Sequence, residues 1–315
     1  MSEVVTFGEA MAALRGTGLL RLGGELSLSI AGAESNLAIG LARLSHDVAW
    51  IGRVGDDELG QLVLRTLRAE QVDVRAAHID ADRPTGLLLF EPRIADTVRV
   101  AYYRSGSAGG AIAAEDVLPH LRSGLRLLHV TGVTAALGPQ AVDAVNAAVK
   151  HARALGAQVS LDINYRSQLW PADRAREVLR PLAAQVDLLF ASDDELRLVA
   201  PDPGADTAAS ARQLLDSGVT TVVLKRGADG ALAHTAAGEL RVAARAVPVV
   251  DVVGAGDAFA AGYLSGHLDG RNVAGCLDRA SVVAAFAVAQ RGDWEGLPTR
   301  AELHLLDTPP GTTLR

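Results

Sequence analysis

The 315-residue sequence predicts a doubly wound α/β fold, a largely parallel sheet covered by helices on both faces, with a small β-sheet lid. Three observations point there. Short β-branched or leucine-rich runs alternate with helical patterns along most of the chain, the rhythm of successive βα units. Two regions, about 12–31 and 84–104, break that alternation with strand patterns that no helix separates. Finally, 49% of the residues are hydrophobic, yet no run reaches the roughly 20 uninterrupted apolar residues that span a membrane.

Taken in order, strands are expected at Val4 to Phe7, Ala49 to Val54, Leu125 to Val130, Gln158 to Ile163, Asp187 to Ala191 and Thr221 to Lys225. Their β-branched and leucine content suits strands buried on both faces. Between them Ala141, Val142, Val145, Ala148, Val149, Ala152 and Leu155 recur at helical spacing, which predicts a helix from Gly138 to a glycine cap at Gly156. Gly86 to Phe90 and Val98 to Arg104 read as lid strands. Arg245 to Val250 is strand-like, and a helix is expected from Ala258 to Leu268. With no repeats or long linker, the lid is read as an insertion: 1–11, 32–83 and 105–315 form the α/β core, and 12–31 and 84–104 the lid.

Composition excludes several classes. A formal net charge of -7 argues against a nucleic-acid partner, which calls for a basic surface. The single cysteine, Cys276, can close no intramolecular disulfide and reads as a small buried hydrophobe. The first residues run straight into a strand pattern, without the basic and apolar regions of a signal peptide, so a cytoplasmic protein with no membrane partner is expected.

The chemistry concentrates in Asp251-Val-Val-Gly254-Ala255-Gly256-Asp257. Glycines at a helix start let backbone amides approach an anion, and the helix dipole adds partial positive charge. A neighbouring carboxylate can take the proton of a hydroxyl attacking a phosphoryl group. On these residues alone a tight turn with a helix-capping aspartate explains the segment as well. Gly254-Ala-Gly256 also has the start of a dinucleotide-binding fingerprint, but Phe259 stands where its last glycine belongs, which disfavours a dehydrogenase.

Asp251-x-x-Gly-Ala-Gly-Asp-Ala-Phe-x-x-Gly262 resembles the C-terminal signature of the ribokinase-like (PfkB) carbohydrate kinases. Ala31-Gly-Ala-Glu-Ser-Asn36, Ile51-Gly-Arg-Val-Gly-Asp56 and Val223-Leu-Lys-Arg-Gly-Ala-Asp-Gly230 fall where that family has its other motifs, so the resemblance covers almost the whole chain. It implies that Asp257 is the catalytic base and that Gly254, Ala255 and Gly256 form an anion hole for ATP. It also implies that Ser192, Lys225, Arg226, Gly227, Ala228, Asp229 and Gly230 line the nucleotide, although a solvated or salt-bridged surface lysine is the competing reading of Lys225. Ser192-Asp-Asp-Glu195 resembles the family's Asn-x-x-Glu element with serine for asparagine; Glu195 would then organise Mg2+ through water, or serve only as a helix-start carboxylate. Val252 replaces the family's threonine, which counts against a monovalent cation.

For the acceptor, Tyr102 and Arg104 lie two apart on a predicted strand and share a face. Arg166 follows another strand at its C-terminal end, where ligands of open α/β sheets bind. A guanidinium fork matches a carboxylate, although ion pairing or contact with ATP phosphates would also use these arginines. Tyr102-Tyr-Arg-Ser-Gly-Ser-Ala108 and Asp162-x-Asn-Tyr-Arg-x-x-Leu-Trp170 resemble the 2-keto-3-deoxygluconate kinases of the family. That implies a sugar acid whose hydroxyls meet Gly32, Ala33, Glu34, Ser35 and Asn36, whose carboxylate and keto end meet Tyr102, Arg104 and Arg166, and whose terminal hydroxyl Asp257 deprotonates. Asp293 is a further substrate contact or a turn residue. Ala31 and Leu88 replace a family glycine and a substrate tyrosine. A kinase for a neutral sugar such as fructose or ribose, and a catalytically silent sensor, are the competing functions. Exposed apolar lid strands predict a homo-oligomer joined through the lid.

Overall fold

The computed structural model describes residues 2–94, 97–202 and 204–308. In chain order come β1 (Val4–Phe7), β2 (Met11–Gly16), β3 (Leu26–Ala31), α1 (Ala33–Arg43), β4 (Val48–Ile51), β5 (Arg53–Gly55), α2 (Glu58–Ala69) and β6 (His78–Asp80). Next are β7 (Leu87–Ile94), β8 (Thr97–Tyr103), α3 (Ala114–Val117), β9 (Leu127–Thr131), α4 (Gly132–Ala135), α5 (Pro139–Ala154), β10 (Gln158–Asp162) and α6 (Ala172–Ala183). The chain continues with β11 (Leu188–Ala191), α7 (Asp193–Val199), α8 (Thr207–Asp216), β12 (Thr221–Lys225), β13 (Ala231–Thr235), β14 (Gly238–Val242), α9 (Ala255–Leu268) and α10 (Val273–Val288).

The large sheet runs β14-β13-β12-β11-β10-β9-β1-β4, parallel from β12 to β4 and antiparallel at β13 and β14. Alternation along each strand feeds two separate layers. Leu188 and Phe190 pack with α1, α9 and α10, whereas Leu189 and Ala191 pack with α5 and α6. Phe190 meets Tyr263 of α9 edge-on, ring centroids 5.4 Å apart. Helix α9 is apolar nearly all round because it lies between α1 and α10, and Gly262 permits the close crossing: a Cβ there would come 2.8 Å from Cα of Ala280.

A second, four-stranded sheet, β3-β2-β7-β8, contains all the strand patterns that broke the βα alternation. Its inner face carries Met11, Ala13, Leu88 and Phe90, and these form their own small core with Val253.

Three differences from the sequence expectation, beyond shifts of a few residues at other strand ends, shape the fold around the site. Ala49 to Val54 is two strands in different sheets, β4 and β5, because the chain turns at Gly52, where a Cβ would come 2.2 Å from the Trp50 ring. Arg245 to Val250 forms no strand; the segment passes along α10, and its Val250 amide donates to the Val288 carbonyl at 2.7 Å. Helix α9 starts at Ala255 rather than Ala258, so Asp257 lies inside its first turn. Cys276 is buried and free, as expected. Among the described residues no helix is long and apolar enough to cross a membrane.

Candidate active site

Beneath the small sheet, at the C-terminal ends of β1, β10 and β12, lies a cavity of about 460 Å³. Ligands of doubly wound sheets collect at this edge. Asp257 reaches it from the first turn of α9 and is 8% exposed. Nδ2 of Asn36 donates to Oδ2 of Asp257 at 2.9 Å, and Nδ2 of Asn164 donates to Oδ1 at 3.2 Å. Burial pushes the Asp257 carboxyl up to about 6; the Asn36 hydrogen bond opposes this, Asp162 adds to it, and Lys225 and Arg166 pull it down. A group so placed is ionised near neutrality and basic enough to accept a hydroxyl proton.

Gly254 precedes α9 in the left-handed conformation, φ 74°, and no side chain caps the helix. The amides of Gly256 and Asp257 meet no acceptor among the described residues, so they are open to an anion. A Cβ at Gly254 would lie 2.0 Å from the Asp293 carbonyl oxygen. Gly254→Ala is therefore expected to destabilise the fold by at least about 1–2 kcal/mol from the left-handed backbone alone, with the carbonyl clash added; urea unfolding measures it, and an unchanged midpoint would contradict the geometry.

Lys225, at the end of β12, lies alongside: its Nζ would be 3.4 Å from a Cβ at Gly256 and donates to Asp162 at 2.6 and 2.8 Å. Burial works against its charge, but Asp162, Glu195 and Asp257 outweigh burial and hold its pKa above the ordinary lysine value. Lys225 is thus salt-bridged, as the competing reading allowed, but its side chain is only 17% exposed and lines the cavity rather than the surface. Lys225→Met would leave the Asp162 carboxylate, 2% exposed, without its partner. A loss of about 3–5 kcal/mol is expected on breaking such a pair. The double variant with Asp162→Asn should recover part of it in urea unfolding.

Several predicted residues meet at the cavity and others do not. Gly32, Ala33, Asn36, Tyr102, Arg104, Arg166, Glu195 and Asp293 line it, as do Ala31, Leu88 and Val252. Glu34 does not: it turns into the core, where the Thr131 and Thr134 hydroxyls donate to it and burial pushes its carboxyl up to about 7. Ser35 is fully buried and donates to the Gly32 carbonyl at 2.9 Å. Both side chains are buried and neither lines the cavity, which corrects their expected contact with substrate. Ser192 caps α7, and Arg226 pairs with Asp193 at 2.8 Å ahead of exposed Gly227, Ala228 and Asp229 and half-buried Gly230; none of these lines the cavity.

The two arginines differ in state. Arg104 forms an ion pair with buried Glu9, whose other oxygen accepts from the Ser107 hydroxyl. Arg166 is exposed and has no carboxylate within ion-pair reach among the described residues. Glu195 is committed to backbone: Oε1 accepts from the Tyr165 amide at 2.7 Å and Oε2 from the Ser192 amide at 2.8 Å. Asp293 forms an ion pair with Arg15. Asn164, Glu9, Asp162 and Arg15 were not among the expected site residues. Asn164 stood within the quoted Asp-x-Asn-Tyr-Arg stretch and takes a left-handed φ of 39°, which asparagine tolerates. Glu9 carried a weaker signal, a charge two residues past a buried strand.

Fold and site together define an α/β protein able to hold an anion on helix-start amides beside a buried carboxylate. The model of the pfkB family carbohydrate kinases matches residues 1–300, and the chain belongs to that family. It is 36% identical to a 2-dehydro-3-deoxygluconokinase of Bacillus subtilis (strain 168), over 96% of this chain and 94% of that protein. It is 33% identical to a 2-dehydro-3-deoxygluconokinase of Thermoproteus tenax, over 96% and 93%. A ribokinase-like protein from E. coli, solved in complex with ATP and Mg2+, superimposes with a TM-score of 0.91 at 25% identity, over 98% of this chain and 99% of the other.

Proposed function

We propose that this chain is an ATP-dependent kinase that phosphorylates the terminal hydroxyl of 2-keto-3-deoxygluconate, the 2-dehydro-3-deoxygluconate of its relatives' names. The observation that carries the reading is one cavity holding both buried Asp257 beside open amides and the unpaired guanidinium of Arg166. A free guanidinium at a substrate cavity suits a carboxylate, which a neutral sugar lacks. Arg104, neutralised by Glu9, then serves as a hydrogen-bond donor to the keto end together with Tyr102.

The residues present fit a nucleotide's phosphates: uncapped amides at Gly256 and Asp257, a glycine approach with no Cβ, and the ammonium of Lys225. From Lys225 the nucleotide would run outward along Arg226 to Gly230. Mg2+ would enter with the phosphates, and Glu195, whose two oxygens each accept from one backbone amide and keep a free acceptor site, would hold it through water. When bound, the ion supplies neutralising charge to the phosphates. Asp257 takes the proton of the terminal hydroxyl as that oxygen attacks the γ-phosphorus, and the amides hold the charge on the transferring oxygens. The four-stranded sheet acts as a lid that excludes water. Leu26, Leu28, Val98 and Tyr103 lie exposed on its outer strands, and we assign them to a homo-oligomer contact in a cytoplasmic enzyme.

Purified protein with Mg-ATP and a panel of sugar acids and neutral sugars tests this reading, with ADP release and the phosphorylated position as readouts. Faster turnover of fructose or ribose than of every sugar acid would sink the substrate, and no ATP-dependent turnover at all would sink the activity.

A further inference from the structure

The Arg15 side chain joins the small sheet to both sides of the glycine turn. It stands on β2 on the same face as Met11 and Ala13, opposite Phe90 of β7 in the register, and its guanidinium lies 3.9 Å from the centroid of the Phe90 ring. From there Nη1 donates to Oδ2 of Asp251 at 3.2 Å, and Nη2 meets Oδ1 of Asp293. The Arg15 side chain is 10% exposed and its two partners 13% and 9%.

Both aspartates are built into the turn. Asp251 accepts from the Val253 amide at 3.1 Å and from the Gly292 amide at 3.2 Å, so one carboxylate ties the start of the turn to the segment before Asp293. The Asp293 carbonyl packs on Gly254 so closely that a Cβ there would lie 2.0 Å away. A planar fork with separate donors can hold two carboxylates at once, which a point charge cannot do in the same geometry. The contact spans about 240–280 residues of sequence, so it does nothing for local structure; it fixes how the sheet over the acceptor sits on the amides under the phosphoryl group.

We propose that Arg15 is a positioning residue that latches the four-stranded sheet onto the phosphoryl-transfer turn and thereby keeps water from the transferring group. This rests on the kinase reading above. With the latch broken, water replaces the sugar hydroxyl: its oxygen bonds to the γ-phosphorus, the bond from that phosphorus to the ADP oxygen breaks, the water proton passes to Asp257, and ADP and phosphate leave.

The test compares wild type, Arg15→Met and Arg15→Lys for ADP formed per sugar acid phosphorylated. The wild-type ratio should be about one, the stoichiometry of transfer. Arg15→Met should raise it severalfold, with phosphate released even when no sugar is present, and Arg15→Lys should fall between the two. A merely structural role would lower turnover while leaving the ratio at the wild-type value, and that result overturns the latch. Hydrogen exchange of the ligand-free proteins gives a readout independent of turnover. Faster exchange in β2 and across 251–256 in Arg15→Met supports the latch, and unchanged exchange overturns it. A wild type that phosphorylates no sugar acid overturns the kinase reading instead, and the exchange comparison still decides whether Arg15 fastens the two parts.

Discussion

Asp257→Asn should lower kcat by roughly 10²–10⁴-fold, the usual contribution of a positioned general base, with the KM for the sugar little changed. The substitution keeps size and burial but removes the lone pairs that take the proton. It also sets an amide against Asn36 and Asn164, both of which donate to Asp257, so a stability loss of about 1–3 kcal/mol accompanies it; kcat is therefore compared well below the melting temperature. The pH profile supplies a sharper signature. Burial raises this carboxyl from 3.8 to about 6, and only its ionised form accepts a proton, so kcat/KM of the wild type should fall as pH drops through about 6. The variant should lose that acidic limb. Stability runs the other way: a carboxyl raised in the folded state favours folding while protonated, so its contribution is present below pH 3.8 and is lost as pH rises through about 6. Activity and stability thus oppose each other across that window. A residual kcat within tenfold of wild type, or an unmoved acidic limb, would remove Asp257 from the role of base.

Arg166→Gln should raise the KM for the sugar acid by roughly 10–150-fold, since losing one charge-assisted hydrogen bond costs about 1.5–3 kcal/mol. Because the carboxylate lies away from the reacting hydroxyl, the contact is made equally before and during transfer, and kcat should move much less. The preference for the acid over a neutral analogue should shrink by a similar factor. Arg166 is exposed and has no ion-pair partner among the described residues, so the melting temperature should stay put. Arg104→Gln offers the contrast: it strands Glu9, 1% exposed, and should weaken the fold along with binding. An unchanged KM in Arg166→Gln would place the carboxylate elsewhere.

Much of the fold was legible because its signals are local. β1 and β12 fall on the expected residues, and the helix expected from Gly138 to Gly156 forms over Pro139–Ala154, since period and caps act over a few residues. The antiparallel pair β13 and β14 was not anticipated, because an edge hairpin leaves only a weak alternation in exposed Gly238–Val242. The segment 245–250 read as a strand for the opposite reason: its β-branched content fits one, but among the described residues no strand pairs with it.

The Gly-Ala-Gly-Asp turn shows the same division at the site. Its residues by themselves determined that glycines and a carboxylate would lie together at a helix start, because four consecutive positions cannot separate. What the carboxylate would meet was decided only in three dimensions. Asn36 lies 221 residues away in sequence, Asn164 93, and Arg15 reaches Asp251 across 236. Likewise the sequence determined that arginines stand at 104 and 166, whereas burial of Glu9 beside one and solvent beside the other decided which charge is free. A side chain's type is a local property, while its partner, its burial and hence its pKa belong to the packing of distant segments.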